Sequence, residues 1–141
     1  MVTNILSIGL IAVEKPVKID DLHNGQGTVL YNHNMVEIMV KNEDGNIVET
    51  DDPEEATGKA WKYDSLRVEY PINADNIFRT LLNAKYDSNR QEKLINEFQS
   101  AQLGILDDSH IEPYKAFLRE RIALKEMVLA DAVEQNLPVD L

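Results

Sequence analysis

The sequence predicts an α+β protein in which an antiparallel sheet of about four or five strands is followed by a segment of three helices. In the first half, apolar and polar residues alternate with a period of two, most clearly at Val36, Ile38 and Val40. In the second half, apolar residues recur every three or four positions. We expect a β-rich subdomain of residues 1–71 and a helical subdomain of residues 72–141, with the boundary after Pro71.

The strand candidates are residues 4–13, 28–31, 35–41, 47–50 and 61–70. An Asp44-Gly45 turn is typical of a tight hairpin between the third and fourth of these strands. His33 falls between two candidates and is predicted to lie in a turn. Leu66, Val68 and Tyr70 share one face of the last strand, so we expect Tyr70 in the core.

Cap residues delimit three helices in the second half. Asn73 is the predicted N-cap of a helix over 74–86, and Asp87 or Ser88 caps a second helix that ends before Gly104. Ser109 begins a capping-box pattern that opens a third helix to about residue 135. The predicted buried stripes are Ile77, Phe78, Leu81 and Leu82; Leu94, Ile95, Phe98 and Ala101; and Ile111, Tyr114, Leu118, Ile122, Leu124 or Lys125, Val128 and Leu129.

The charge balance limits the classes of partner. Among 141 residues, 14 are Lys or Arg and 25 are Asp or Glu, which gives a net charge of -11. Such a surface repels phosphate backbones and anionic membranes, so we expect neither nucleic acid nor membrane as a direct partner. The charge suits solubility or a basic protein partner. Cysteine is absent, which excludes disulfides and thiol catalysis.

No residue pattern predicts catalysis, a metal or a cofactor. The three histidines, His23, His33 and His110, lack the spacing of a helical metal pair. The segment 51–55 is acidic but lacks the ligand spacing and central glycine of an EF-hand loop. We therefore expect a protein without a cofactor that is not an enzyme.

Two groups of residues are candidates for partner binding. The stretch 42–58 contains seven acids and no base, and Asp51, Asp52, Glu54 and Glu55 lie in its central loop. Trp61 and Tyr63 follow on the last strand, and aromatic residues are enriched in interface hot spots. A basic patch on the last helix is expected to pair with the chain's own acids; its members are Arg119, Arg121 and Lys125.

The second half resembles a group of small proteins encoded by tailed phages and prophages of gut Bacteroides-type bacteria. The resemblance covers about residues 61–132 and is carried by YDSLRVEYP at 63–71, NADNI at 73–77, LLNAKY at 81–86, INEF at 95–98 and YKAF at 114–117. It implies a virion component or assembly factor of the tail, neck or capsid surface, located in the virion or in the host cytoplasm during assembly. It implies no catalytic residue.

Three functions remain open on the sequence. The first is a phage structural or assembly protein that contacts other virion proteins or further copies of itself. The second is a phage-encoded acidic inhibitor that uses the stretch 43–55 to block a basic host protein. The third is an enzyme with an unrecognised site, which would require His23 and His33 to meet carboxylates in one cleft.

Overall fold

A computed structural model describes residues 5–140 of the chain, whose contacts divide it into two compact units. The sheet unit, Met1–Pro71, contains a five-stranded antiparallel sheet. The helical unit, Ile72–Leu141, contains three α-helices. The predicted α+β class, with a sheet followed by three helices, is confirmed.

The sheet is built from β1 (Leu6–Ala12), β2 (Ile19–Asp21), β3 (Val29–Glu43), β4 (Asn46–Glu49) and β5 (Gly58–Val68). Their order is β1-β5-β3-β2, and β4 also pairs with β3. The short β2 has no counterpart in the prediction, since three residues are too few to display an alternating pattern. The predicted hairpin is confirmed: Asp44 and Gly45, both with positive φ, join β3 to β4.

Apolar pairs between the two central strands form the core of the sheet unit. Tyr31 lies opposite Leu66 and Val29 lies opposite Val68. Tyr31, Leu66 and Val68 are 0% exposed. Burying side chains of this size stabilises a fold by about 1.5–3 kcal/mol each. These pairs therefore fix the register of β3 against β5, because a slip by one residue would turn every one of these side chains to the other face.

The structure merges two predicted strands, over 28–31 and 35–41, into the single strand β3. His33 is consequently not in a turn: it is buried in β3 and stacks on Tyr31, with ring centroids 4.7 Å apart. Asn34 adopts a positive φ of 53°, which absorbs an extra residue as a bulge. After the bulge, Val40 is buried as predicted, but Val36 lies opposite Lys62 and is 57% exposed.

Two bulges lie on either side of the middle of β5. The register of β1 and the register of β3 are each interrupted there, at Gly9 (φ 74°) and at Asn34. The carboxylate of Asp64 on β5 accepts hydrogen bonds from the Gly9 N–H (3.1 Å) and from Asn34 Nδ2 (2.9 Å). One side chain therefore links the irregular points of both neighbouring strands.

Tyr70 is not a core residue, in contrast to the prediction. Its side chain is 74% exposed, whereas Leu66 and Val68 are buried. The alternation that predicts burial applies only while the strand is paired, and the pairing of β5 ends where Val68 meets Val29.

The helices are α1 (Ala74–Lys85), α2 (Ser88–Gln102) and α3 (Ile111–Glu134), with a 3-10 turn at Asp108–His110 before α3. Asn73 and Asp87 cap α1 and α2 as predicted: the Asn73 side chain accepts from the Asn76 N–H (2.7 Å), and that of Asp87 accepts from the Arg90 N–H (2.8 Å). The Ala74 N–H donates to the Pro138 carbonyl at 2.8 Å, which fastens the C-terminal segment to the start of α1.

The predicted capping box at Ser109 is wrong. Asp107 takes that role, accepting hydrogen bonds from the Ser109 N–H (3.0 Å) and from its hydroxyl. These bonds, the one from the hydroxyl first, lower the pKa of the Asp107 carboxyl. His110, which directly precedes α3, makes no capping bond with its side chain. An aspartate ahead of Ser109 closes the 3-10 turn, so α3 begins without a side-chain cap.

The helical unit buries the predicted stripe of α1 and most of a stripe on α3. Ile77, Phe78, Leu81 and Leu82 of α1 are buried. The buried residues of α3 are Phe117, Leu124, Val128 and Ala132. The prediction that Leu118 and Ile122 belong to the buried stripe of α3 is wrong, since they are 38% and 56% exposed.

Candidate binding surfaces

Strand β1 is an outer strand of the sheet and carries no charged residue. Its exposed side chains are apolar: Ile8 is 70% exposed, and Leu10 and Ile11 are each 37% exposed. Within the described part of the chain, β1 pairs only with β5, so its other backbone edge is available. Soluble proteins usually protect such an edge with lysine, proline or a covering segment. This strand has only a bulge at Gly9.

Trp61 and Tyr63 lie beside this edge. On β5 they are directly opposite Ala12 and Leu10 of β1, and both are half-buried. The ammonium group of Lys15 is 5.0 Å from the centre of the Trp61 ring. Tyr63 and Trp61 therefore share a face of the sheet with Leu10 and Ala12, whereas Ile11 lies opposite Lys62 on the other face.

The acidic loop, Asp51 to Glu55, is exposed throughout. The Asp52 carboxylate accepts from the Glu54 N–H (2.9 Å), and Glu55 forms an ion pair with Lys41 (3.1 Å). The hydrogen bond and charge of Glu55 raise the pKa of the Lys41 ammonium. Asp51 and Glu54 form no ion pair with any residue between 5 and 140, so their carboxylates remain available. No described hydrogen bond or ion pair joins this loop to Trp61 or Tyr63.

The three histidines are in different environments. His23 is on an exposed loop, and His33 is buried, with Nδ1 3.1 Å from the Tyr31 carbonyl oxygen. His110 lies 3.5 Å from Glu97. Across residues 5–140, no group of three or more His, Cys, Asp or Glu side chains is placed to hold a metal ion.

A groove on the helical unit has a cationic part. This part is a pocket of about 380 Å³ with Phe78 and Leu82 as its apolar lining. Its polar lining is Asp75, Arg79, Asn83, Gln91, Arg121 and Lys125. Arg79 forms an ion pair with Asp75 at 2.9 Å. Three cations thus share one acid, which makes this pocket locally positive in a chain with a net charge of -11.

Arg121 and Lys125 form no ion pair with any described residue. The Arg121 guanidinium lies 5.3 Å from the centre of the Phe78 ring, a position that leaves its N–H groups available. The two residues are four positions apart on α3, where like charges destabilise a helix slightly. By contrast, Arg119 pairs with Glu112 at 3.6 Å, as the sequence indicates. The sequence marks the basic patch but does not separate its paired member from its unpaired ones.

A second pocket of about 390 Å³ adjoins the first and shares Gln91 and Arg121 with it. Its remaining lining is Glu92, Ile95, Tyr114, Phe117 and Leu118. The ring centroids of Tyr114 and Phe117 are 6.1 Å apart. We call the two pockets together the α3 groove, because α3 contributes residues to both. One end is cationic and the other is apolar and aromatic.

Comparisons with protein-family models, curated proteins and solved structures find no match to this chain. Among the described residues, no helix has both the length and the apolar character needed to cross a membrane.

Proposed function

We propose that this chain is a structural or assembly protein of a tailed phage that acts through protein–protein contacts and not through catalysis. The observation that supports it best is the uncharged outer strand β1, which exposes Ile8, Leu10 and Ile11 and pairs with the strand that carries the half-buried Trp61 and Tyr63. An edge strand of this kind accepts a strand from another chain, which adds main-chain hydrogen bonds and apolar contacts. The phage setting is supported by the resemblance over about residues 61–132.

In this proposal the partners are other virion or assembly proteins or a second copy of the chain. The protein resides in the virion, or in the host cytoplasm while particles assemble. Strand pairing at β1 is suited to either partner, since its backbone donors and acceptors can pair with any strand of compatible register. The high negative charge keeps the unassembled chain soluble despite its apolar edge.

Mass spectrometry of purified virions tests the proposal. The expected result is the chain in stoichiometric amounts, or defective particles when its gene is deleted. Absence from virions together with normal particles from the deletion strain would overturn the proposal.

A second candidate function is an acidic inhibitor of a basic host protein. The exposed, unpaired carboxylates of Asp51 and Glu54 favour it. Reversing both charges should abolish capture of a host factor, whereas reversing Glu126 and Asp140, two exposed acids of the helical unit, should not. If the wild-type chain captures no host factor at low salt, this candidate fails.

A further inference from the structure

We propose that the α3 groove binds a short acidic peptide segment of a partner protein, with a carboxylate at the cationic end and a large apolar side chain at the aromatic end. This inference rests on the proposed function and deepens it by giving the chemistry of one partner. It concerns the helical unit and is independent of the edge strand β1.

The cationic end is suited to a carboxylate. Arg121 and Lys125 line it and have no acid partner among residues 5–140, although acids outnumber bases in this chain by 25 to 14. Arginine offers a planar fork of N–H donors that matches a carboxylate, and lysine adds a point charge. The side-chain amide of Gln91 is held by bonds to the Tyr86 carbonyl (2.7 Å) and to Asn83 (3.2 Å), so this wall of the pocket is ordered.

The apolar end is suited to a leucine or an aromatic side chain. Leu118 is 38% exposed and Ile95 is 37% exposed, and both line this end. Tyr114 and Phe117 form its aromatic wall. Since Arg121 borders both pockets, a peptide that passes along Arg121 reaches both ends.

The length of the groove favours a peptide over a small carboxylic acid. Tyr114 and Lys125 are 11 positions apart on α3, which is about 16 Å at about 1.5 Å per residue. The centres of the two ends, near residues 116 and 123, are about 10 Å apart on the same basis. In an extended chain, side chains on one face are two or four residues apart, which is about 7 or 13 Å at about 3.3 Å per residue, and these spacings bracket that distance. A single aromatic acid cannot occupy both ends at once.

Fluorescence anisotropy with a labelled synthetic peptide tests the proposal. The peptide has paired glutamates at one end and a tryptophan three residues after the second glutamate, so that the first glutamate and the tryptophan lie on the same face of an extended chain. We expect saturable binding to the full chain, and the affinity should fall by about tenfold or more when lysines replace the glutamates. Equal binding of the lysine peptide would overturn the proposal.

A matched pair of protein variants locates the binding. Arg121→Gln with Lys125→Gln should weaken binding by about tenfold or more. Lys115→Gln with Arg119→Gln removes the same charge from the same helix outside the groove, and it should leave the affinity unchanged. If both variants lose affinity equally, the attraction is non-specific and the proposal is wrong. Far-UV circular dichroism checks the fold of each variant.

Leu118→Ala gives a second test that does not depend on the cations. It should weaken binding of the tryptophan peptide but not of the same peptide with alanine in that position. Unchanged binding of the tryptophan peptide would contradict the assigned apolar end. Sodium benzoate, tested as a competitor, should displace the peptide only weakly. Displacement by benzoate at the same concentration as the peptide would show that the groove binds any small anion, and it would overturn the peptide assignment.

These results are separable from those on the proposed function. A chain that is absent from virions but binds the acidic peptide through Arg121 and Lys125 would refute the phage role and keep the groove. A virion protein without peptide binding would refute only the groove.

Discussion

At the residue scale, the buried polar side chains of β3 and β5 differ in how well they are satisfied. Asn32 and Ser65 are cross-strand partners, 4% and 6% exposed. Asn32 Nδ2 donates to the Val17 carbonyl at 2.9 Å. The Ser65 hydroxyl has no hydrogen-bond partner in the described structure. Asn32 Oδ1 also lacks a hydrogen-bond partner in the described structure. The N–H of Asn32 therefore contributes to stability, whereas its carbonyl oxygen and the Ser65 hydroxyl lower it.

Ser65→Ala should therefore leave the free energy of unfolding unchanged or raise it by up to about 1 kcal/mol. Asn32→Ala should lower that free energy by about 1 kcal/mol, because the lost donor to the Val17 carbonyl and the vacated volume outweigh removal of the unsatisfied Oδ1. Urea unfolding of the two variants makes the comparison. A loss for Ser65→Ala as large as that for Asn32→Ala would contradict the assignment.

The ionisation of Tyr86 links stability to alkaline pH. Its hydroxyl donates to Glu120, and this hydrogen bond, together with burial and the Glu120 charge, raises the pKa of Tyr86 above its ordinary 10.0. A raised pKa means that the folded state favours the protonated phenol. The contribution to stability is therefore complete below pH 10.0 and is lost as the pH rises through the higher folded value.

We expect the urea midpoint of the wild-type chain to fall above pH 10.0, together with delayed appearance of tyrosinate absorbance. Tyr86→Phe should remove this part of the pH dependence. Tyr70→Phe, which alters a 74% exposed side chain, serves as the control and should keep it. An identical alkaline profile for wild type and Tyr86→Phe would contradict the role of the Glu120 contact.

At the element scale, the sequence predicts well those features that depend only on residues close together in the chain. Asn73 caps α1 and Asp44-Gly45 turns the hairpin because each needs only its immediate neighbours. The predictions for His33, in a turn, and Tyr70, in the core, are wrong because the environment of each residue depends on pairing with strands distant in sequence. The residues around His33 are polar and so predict a turn. In the structure, Asn34 forms a bulge that Asp64 holds by a hydrogen bond, and β3 continues on both sides of this bulge.

The binding surfaces also differ in whether residues close together or far apart in the sequence form them. The acidic loop is visible in the sequence as a run of carboxylates, and the structure leaves it exposed. The α3 groove is not visible, because it combines residues from all three helices. Spacing on α3 does not identify the unpaired cations either, because Arg119 also lacks an acid three or four positions away and yet pairs with Glu112.

The open edge of β1 leads to a prediction about association. Ile8→Lys places a charge on the exposed edge, and its effect on unfolding should stay within about 0.5 kcal/mol because the side chain is 70% exposed. Binding to a strand partner, or to a second copy, should weaken by about tenfold or more. Sedimentation velocity or pull-down from assembling particles provides the measurement.

Val133→Lys is the control for this change. It introduces the same charge at a 65% exposed apolar residue of α3. Association that responds equally to both substitutions would show that net charge, and not the edge strand, governs it.

At the scale of the whole molecule, charge and apolar surface oppose each other. A net charge of -11 disperses the chains at neutral pH, and this repulsion vanishes near the isoelectric point of about 4.6. Exposed apolar side chains of β1 then meet without an electrostatic barrier. The balance makes the protein most prone to associate in mild acid.

Dynamic light scattering across pH 7 to about 4.6 should therefore reveal growing particles and a solubility minimum near the lower value. Ile8→Lys should reduce the size of these particles more than Val133→Lys does. Monodisperse wild-type protein at its isoelectric point would show that the β1 edge is protected in solution.

The bulge at Gly9 has a consequence for fibre formation. Amyloid-like stacking requires a flat, regular segment of about six or seven residues that repeats in register from chain to chain. In β1 the bulge confines the regular register after Gly9 to Leu10, Ile11 and Ala12. One strand of another chain can therefore pair with β1, but the regular part of β1 is too short to support the growth of a fibril. The Gly9 bulge therefore limits the tendency of this chain to form fibrils through β1.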